Sequence, residues 1–168
     1  QGGARAMTSP VVNINELTGL LEHVEGEFNG KADIYQLADE LRLDSDRLLQ
    51  LTEFAELLSF ANVAQGDISL TALGQTFADA GILARKGILA TRIKRLPLFK
   101  WLLALLNAAN ARRIEWDVTL AALSLEFPPD EAYQQLETVI NLGRYAELFA
   151  YDDNEEVFYL EPETESAR

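Results

Sequence analysis

The sequence predicts a mainly α (α+β) fold: tandem winged helix-turn-helix-like units joined by a basic helix. Three observations predict it. Apolar residues recur at helical spacing through most of the 168 residues. Two short extended runs, "FANVAQGDISLT" and "ELFAYDDNEEVFYLEP", each break at a polar turn, as hairpins do. The order helix, short strand, helix, helix, strand, turn, strand then occurs twice along the chain.

"NINELTGLLEHVEGEF" places Ile14, Leu17, Leu20, Leu21, Val24 and Phe28 on one helical face. Asn13 is its expected N-cap, with Glu16 three residues on completing a capping box. "ADIYQLADELRL" starts extended and becomes a helix with Leu37, Ala38 and Leu41 inward. The next helix, "LDSDRLLQLTEFAELLSF", takes Asp44 or Ser45 as cap. Its broad apolar face holds Leu48, Leu49, Leu51, Phe54, Leu57 and Leu58. A Gly66-Asp67 turn makes the hairpin, and Thr71 caps the exit helix "ALGQTFADAG", which ends near Gly81.

The second pass repeats the order, not the residues. "LPLFKWLLALLNAANA" is a helix with Pro97 in its first turn, where proline is tolerated. "RRIEWD" is extended. "VTLAALSLEF" is a helix stopped by Pro128-Pro129. "PDEAYQQLETVINLGRYA" is the next helix, and a hairpin turning at Asp152 to Glu155 follows. The expected divisions are 1–10 a tag scar or linker and 11–82 a first unit with its exit helix. The basic connecting helix takes 83–96, the second unit 97–161, and a disordered tail 162–168. Gln1 at the start with Met7 inside reads as a piece of a longer chain.

Charge is segregated. The net charge is −13. Gln1 to Ile82 holds 4 basic and 13 acidic residues, Leu83 to Arg113 holds 8 basic and none acidic, and Ile114 to Arg168 holds 2 basic and 14 acidic. Uniform surface mixing does not produce that pattern. Cysteine is absent, which excludes disulfides, thiolate catalysis and cysteine zinc sites, and fits a reducing compartment. No apolar run reaches the roughly 18 residues that span a bilayer.

Chemistry-bearing motifs are missing. Neither GxGxxG nor GxxxxGK[ST] occurs, so no phosphate-binding loop is written in the chain. The only histidine, His23, lies between Glu22 and Glu25 on a solvated helix face, where a metal site would need several convergent ligands. The acidic pairs Asp44/Asp46, Asp130/Glu131, Asp152/Asp153 and Glu155/Glu156 fall at helix starts and a hairpin tip. There they oppose the helix dipole and aid capping. Nucleic-acid binding is not expected. Both recognition-position helices carry more acid than base, and phosphate contact needs clustered Lys and Arg.

The basic helix is the one unusual feature. Arg85, Arg92 and Arg95 share a face, Lys86 and Lys94 flank it, and Ile82, Leu89, Ile93 and Leu96 form the opposite, buried face. Two roles are open to it. It neutralises the acidic lobes, or it docks on an acidic partner or an anionic bilayer. A pocket between the two units, near Arg112 and Arg113, is a candidate for holding a small anion.

"ADIYQLADELRLDSDRLLQLTEFAELLSFANVAQGDISLTALGQTFADA" followed by "ILARKGILATRIKRLPLF" resembles the AAA-associated C-terminal domain. That domain follows the ATPase in ATP-binding subunits of nitrate-, sulfonate-, taurine- or bicarbonate-type ABC importers. The resemblance covers about Val11 to Glu161 and supplies no catalytic residue. It implies a non-catalytic accessory or regulatory domain, with ATP and Mg held by an ATPase domain outside these residues. The implied partners are that ATPase domain in cis, the transporter's membrane subunits and an anionic membrane surface; a homodimer is left open. The implied location is cytoplasmic, peripheral at the inner membrane. The rival expectation is a stand-alone winged-helix transcriptional regulator.

Overall fold

A computed structural model describes residues 11–162. The expected tag scar or linker and nearly all of the expected tail lie outside them. The fold is mainly α with two small antiparallel sheets. The chain divides into two compact units, one ending at Ile93 and the other beginning at Lys94.

In the first unit, α1 (Ile14–Phe28) leads to β1 (Lys31–Asp33), α2 (Ile34–Leu41) and α3 (Ser45–Leu57). The hairpin β2 (Ala61–Ala64) and β3 (Asp67–Leu70) follows, then α4 (Ala72–Asp79) and α5 (Ile82–Ile93). The caps explain the starts. Asn13, Asp33, Asp44 and Thr71 each accept a backbone N–H from the first turn of α1, α2, α3 and α4. Glu16 does not complete the expected box; its carboxylate goes to Arg47. The hairpin turns at Gln65-Gly66, both at positive φ, one residue before the expected Gly-Asp pair. Such two-residue turns match the twist of the flanking strands.

The sheet order is β1-β3-β2, with Ile68 between Ala32 and Val63. Ile68 is fully buried, beneath a core of Leu17, Leu21, Phe54, Phe60 and Phe77. Phe60 and Phe77 stack at 4.6 Å. Gly74 lets α4 lie directly on the chain: a β-carbon there would collide with the Phe60 carbonyl. Leu49 and Leu57 depart from expectation. Both lie on the solvent side of α3, because Leu48, Leu51, Phe54, Ala55 and Leu58 already fill its inward face. Ile82, expected inward on α5, is also exposed; Leu89 and Ile93 alone of that helix's predicted face are buried.

The second unit runs α6 (Pro97–Ala108), a short 3-10 turn, β4 (Arg113–Glu115), α7 (Trp116–Leu123), α8 (Pro129–Tyr145), β5 (Ala150–Asp152) and β6 (Val157–Tyr159). Its sheet order, β4-β6-β5, repeats the first. Pro97 and Pro129 both stand at helix starts, where no N–H is needed. The helix α7 ends at Leu123, before the two prolines expected to stop it. Asp152 closes the second hairpin by accepting the N–H groups of Asn154 and Glu155. Leu102, Leu106, Leu136, Val139, Leu142 and Phe158 form this unit's core.

Candidate docking surface

The five basic residues singled out in the sequence do not form one outward patch. Arg85 is turned into the first unit, with its side chain 15% exposed. Its Nε donates to the Phe77 carbonyl at 3.0 Å, its Nη2 to Glu22 at 2.7 Å and also to the Ala78 carbonyl. Its guanidinium stands over the Phe77 ring, 5.7 Å from the centroid. Arg92 donates from Nε to the Leu58 carbonyl at 3.0 Å and from Nη2 to the Ser59 hydroxyl at 2.8 Å. The reason is shared. Phe77 and Ala78 lie in the last turn of α4, and Leu58 is the C-cap of α3. Carbonyls at a helix end lack the full intrahelical pairing and carry partial negative charge, so each arginine on α5 serves one helix end. Lys86 is half-buried, and Lys94 and Arg95 are exposed beyond the end of α5.

The expected anion pair also separates. Arg112 lines a hollow of about 580 Å³ with Arg144, Tyr151, Tyr159 and Glu161. Arg113 lines another of about 660 Å³, where Glu155 meets it at 3.1 Å. A carboxylate already answers that guanidinium. His23 pairs with Glu40 at 2.8 Å rather than with its sequence neighbours. Among the described residues, no group of three His, Asp or Glu converges on a point a metal could occupy. None of their helices is long and apolar enough to cross a membrane.

What sequence reasoning missed lies in the first unit, between α2, α3 and the hairpin. The helices α2 and α3 and the hairpin enclose an apolar groove of about 350 Å³ lined by Ile34, Tyr35, Ser45, Leu48, Leu49 and Val63. Tyr35 is 74% exposed and Leu49 47%. Asp39, Asp46, Glu53 and Glu56 stand exposed on the same two helices. Of the two basic side chains near the start of α3, Arg42 is exposed at the end of α2, and Arg47 is turned away, reaching Glu16 and the Val11 carbonyl. The surface a helix-turn-helix would turn to a partner is therefore apolar in the middle and acidic on balance around it.

The family model of the C-terminal AAA-associated domain matches residues 35–152, well over half of the chain. The chain belongs to this family. An AAA-associated C-terminal domain is an accessory, non-catalytic domain of ABC-type ATPases, which agrees with the resemblance read from "DIYQLADEL" and "GDISLTALGQTFADA". No curated protein and no solved structure gives a match. The matched span runs from the exposed Tyr35 of α2 to Asp152 at the end of β5. It takes in all of the groove's lining but Ile34, the two capping arginines and the first hairpin of this AAA-associated domain.

Proposed function

We propose that this AAA-associated domain is a regulatory domain on the ATP-binding subunit of an ABC importer of the nitrate, sulfonate, taurine or bicarbonate type. It acts through contacts with the ATPase domain in cis, the membrane subunits or the anionic membrane surface, at the cytoplasmic face of the inner membrane. ATP and Mg belong to the ATPase domain. The family match carries this reading. The segregated charge supports contact with a partner, since electrostatic complementarity steers association and register.

We read each unit as a winged-helix-like module, on the repeated element order and the repeated sheet order. That reading brings the rival, a transcriptional regulator, into play, and the surface of α3 speaks against it. Asp46, Glu53 and Glu56 would face the phosphates that a recognition helix must approach. Anionic membrane contact falls to the exposed Lys94 and Arg95. Three measurements test the whole. The 168-residue chain is expected to shift no duplex DNA at about 150 mM salt and to give no saturable heat with ATP. In the intact ATP-binding subunit, deleting the domain is expected to change ATPase regulation and leave basal hydrolysis in place. A sequence-specific DNA complex, or ATP bound by this chain alone, overturns the reading.

A further inference from the structure

The groove of the first unit is open because three positions that carry rings in the second unit carry smaller side chains here. The backbone fixes the correspondence. Ile34 donates its N–H to Gly66 at 2.9 Å, and Trp116 donates its N–H to Glu156 at 2.8 Å. Phe60 donates to Ala55 at 2.9 Å, and Leu148 donates to Gly143 at 3.0 Å. Val63 faces Ile68 across its strand pair as Tyr151 faces Phe158. Counting back along α3 and α8 from those shared ends places Ser45 opposite Tyr133. Ile34, Ser45 and Val63 thus correspond to Trp116, Tyr133 and Tyr151. In the second unit the Trp116 ring meets Tyr133 at 5.6 Å and Tyr151 at 6.3 Å. That unit fills the place with its own rings, and the first leaves it open.

We propose that this groove receives a bulky apolar side chain from a basic segment of a partner protein. Shape supplies the anchor. A hollow of about 350 Å³ has room for a large side chain, and helix-in-groove recognition uses such anchors. Charge supplies the sign. Asp39, Asp46, Glu53 and Glu56 stand exposed on the helices of the groove against one exposed base, Arg42, and the net charge of −13 repels acidic partners, nucleic acid and a second copy alike. The proposal goes beyond the transporter reading and does not rest on it: it names partner chemistry for one groove, and its test involves neither ATP nor transport.

The probe is a synthetic amphipathic lysine-rich peptide with one tryptophan on its apolar face, titrated into the 168-residue chain by fluorescence anisotropy. Two control peptides carry Trp→Ala or glutamate in place of every lysine. Binding is expected for the first peptide, weaker at high salt, and reduced by about tenfold or more in either control. A groove filled as the second unit fills its own, Ile34→Trp with Val63→Tyr, is expected to lose binding by a similar factor. Leu49→Lys, at an exposed position that leaves the core untouched, is the second variant and is expected to do the same. No binding of the lysine peptide, or undiminished binding to both variants, overturns the proposal. So does concentration-dependent self-association of the native chain that the Leu49→Lys variant loses, because the occupant is then a second copy. Competition by duplex DNA for the same groove overturns it as well.

Discussion

Arg85 on α5 meets Glu22 on α1 at 2.7 Å while the same guanidinium serves the carbonyls that end α4. One side chain thereby ties three helices of the first unit together. Its cation does the work of a helix cap as well as that of an ion pair. Arg85→Glu removes the donors and sets a second carboxylate beside Glu22. We expect a loss of about 2–3 kcal/mol, the scale of charged hydrogen bonds left unmade. In melting temperature that is a drop of about 4–12 °C for a chain of this length. Arg95→Glu, at an exposed position, is expected to stay within about 0.5 kcal/mol. Thermal melts of the two variants check this. Equal, small shifts would show that Arg85 adds nothing to the fold.

Gly74 and Gly87 invite the same substitution with opposite results. At Gly74 a β-carbon meets the Phe60 backbone carbonyl, which cannot swing aside as a side-chain tip would. Gly74→Ala is expected to cost about 3 kcal/mol through overpacking. Gly87 sits in α5 with open space around its missing β-carbon. There Gly87→Ala is expected to stabilise by about 0.5–1 kcal/mol, the helix propensity difference. Denaturant midpoints measured side by side test both signs at once.

The element order of this domain was legible because caps, turn residues and apolar spacing agree locally. Asn13, Asp44, Thr71, Pro97 and Pro129 each mark a start the structure keeps. The surface was less legible. Helix α3 has leucines almost all round, so periodicity alone cannot choose which of Leu48, Leu49, Leu57 and Leu58 faces water. Packing against α1 and β2 makes that choice. Arg85 and Arg92 share a face by spacing, but sequence does not say that two helix C-termini end against that face. The groove needed the second unit as a ruler. Trp116, Tyr133 and Tyr151 identify their counterparts only once strand register is known.

Acidity reaches into the first unit at Glu25. Its Oε1 is shielded from solvent, with the Asp79 carboxylate beside it. Burial first, and the Asp79 carboxylate second, push the Glu25 carboxyl above its ordinary value of 4.5. The folded chain then holds a proton that the unfolded chain releases. Native protein binds more protons, so stability falls as pH rises from the ordinary value through the raised one. Above that window the penalty is fully present. Glu25→Gln is expected to melt higher than the native chain at about pH 7 and level with it at about pH 4, since the ordinary carboxyl range lies between. A variant that melts lower at neutral pH would contradict the assignment.

The turn before each first strand offers the last test. In the first unit Asn29 and Gly30 sit at φ 55° and 95°, and in the second Ala111 and Arg112 sit at 57° and 53°. The carbonyls of Gly30 and Arg112 accept the matching bonds, from Leu70 at 2.7 Å and Leu160 at 3.1 Å. The geometry is the same, and only the first unit meets it with residues suited to it. A left-handed non-glycine residue costs about 1–2 kcal/mol. Glycine gives back about 0.4–1 kcal/mol through the freer unfolded chain. Arg112→Gly is therefore expected to gain about 0.5–1 kcal/mol, the difference between those two terms. Its exposed contact to Asn107 at 3.3 Å is a small loss against that. Gly30→Ala should go the other way, because its β-carbon would also stand 2.7 Å from Gln75 Nε2. A raised melting temperature for the first variant and a lowered one for the second is the expected pair. If Arg112→Gly melts lower, the left-handed turn is not where the second unit stores its strain.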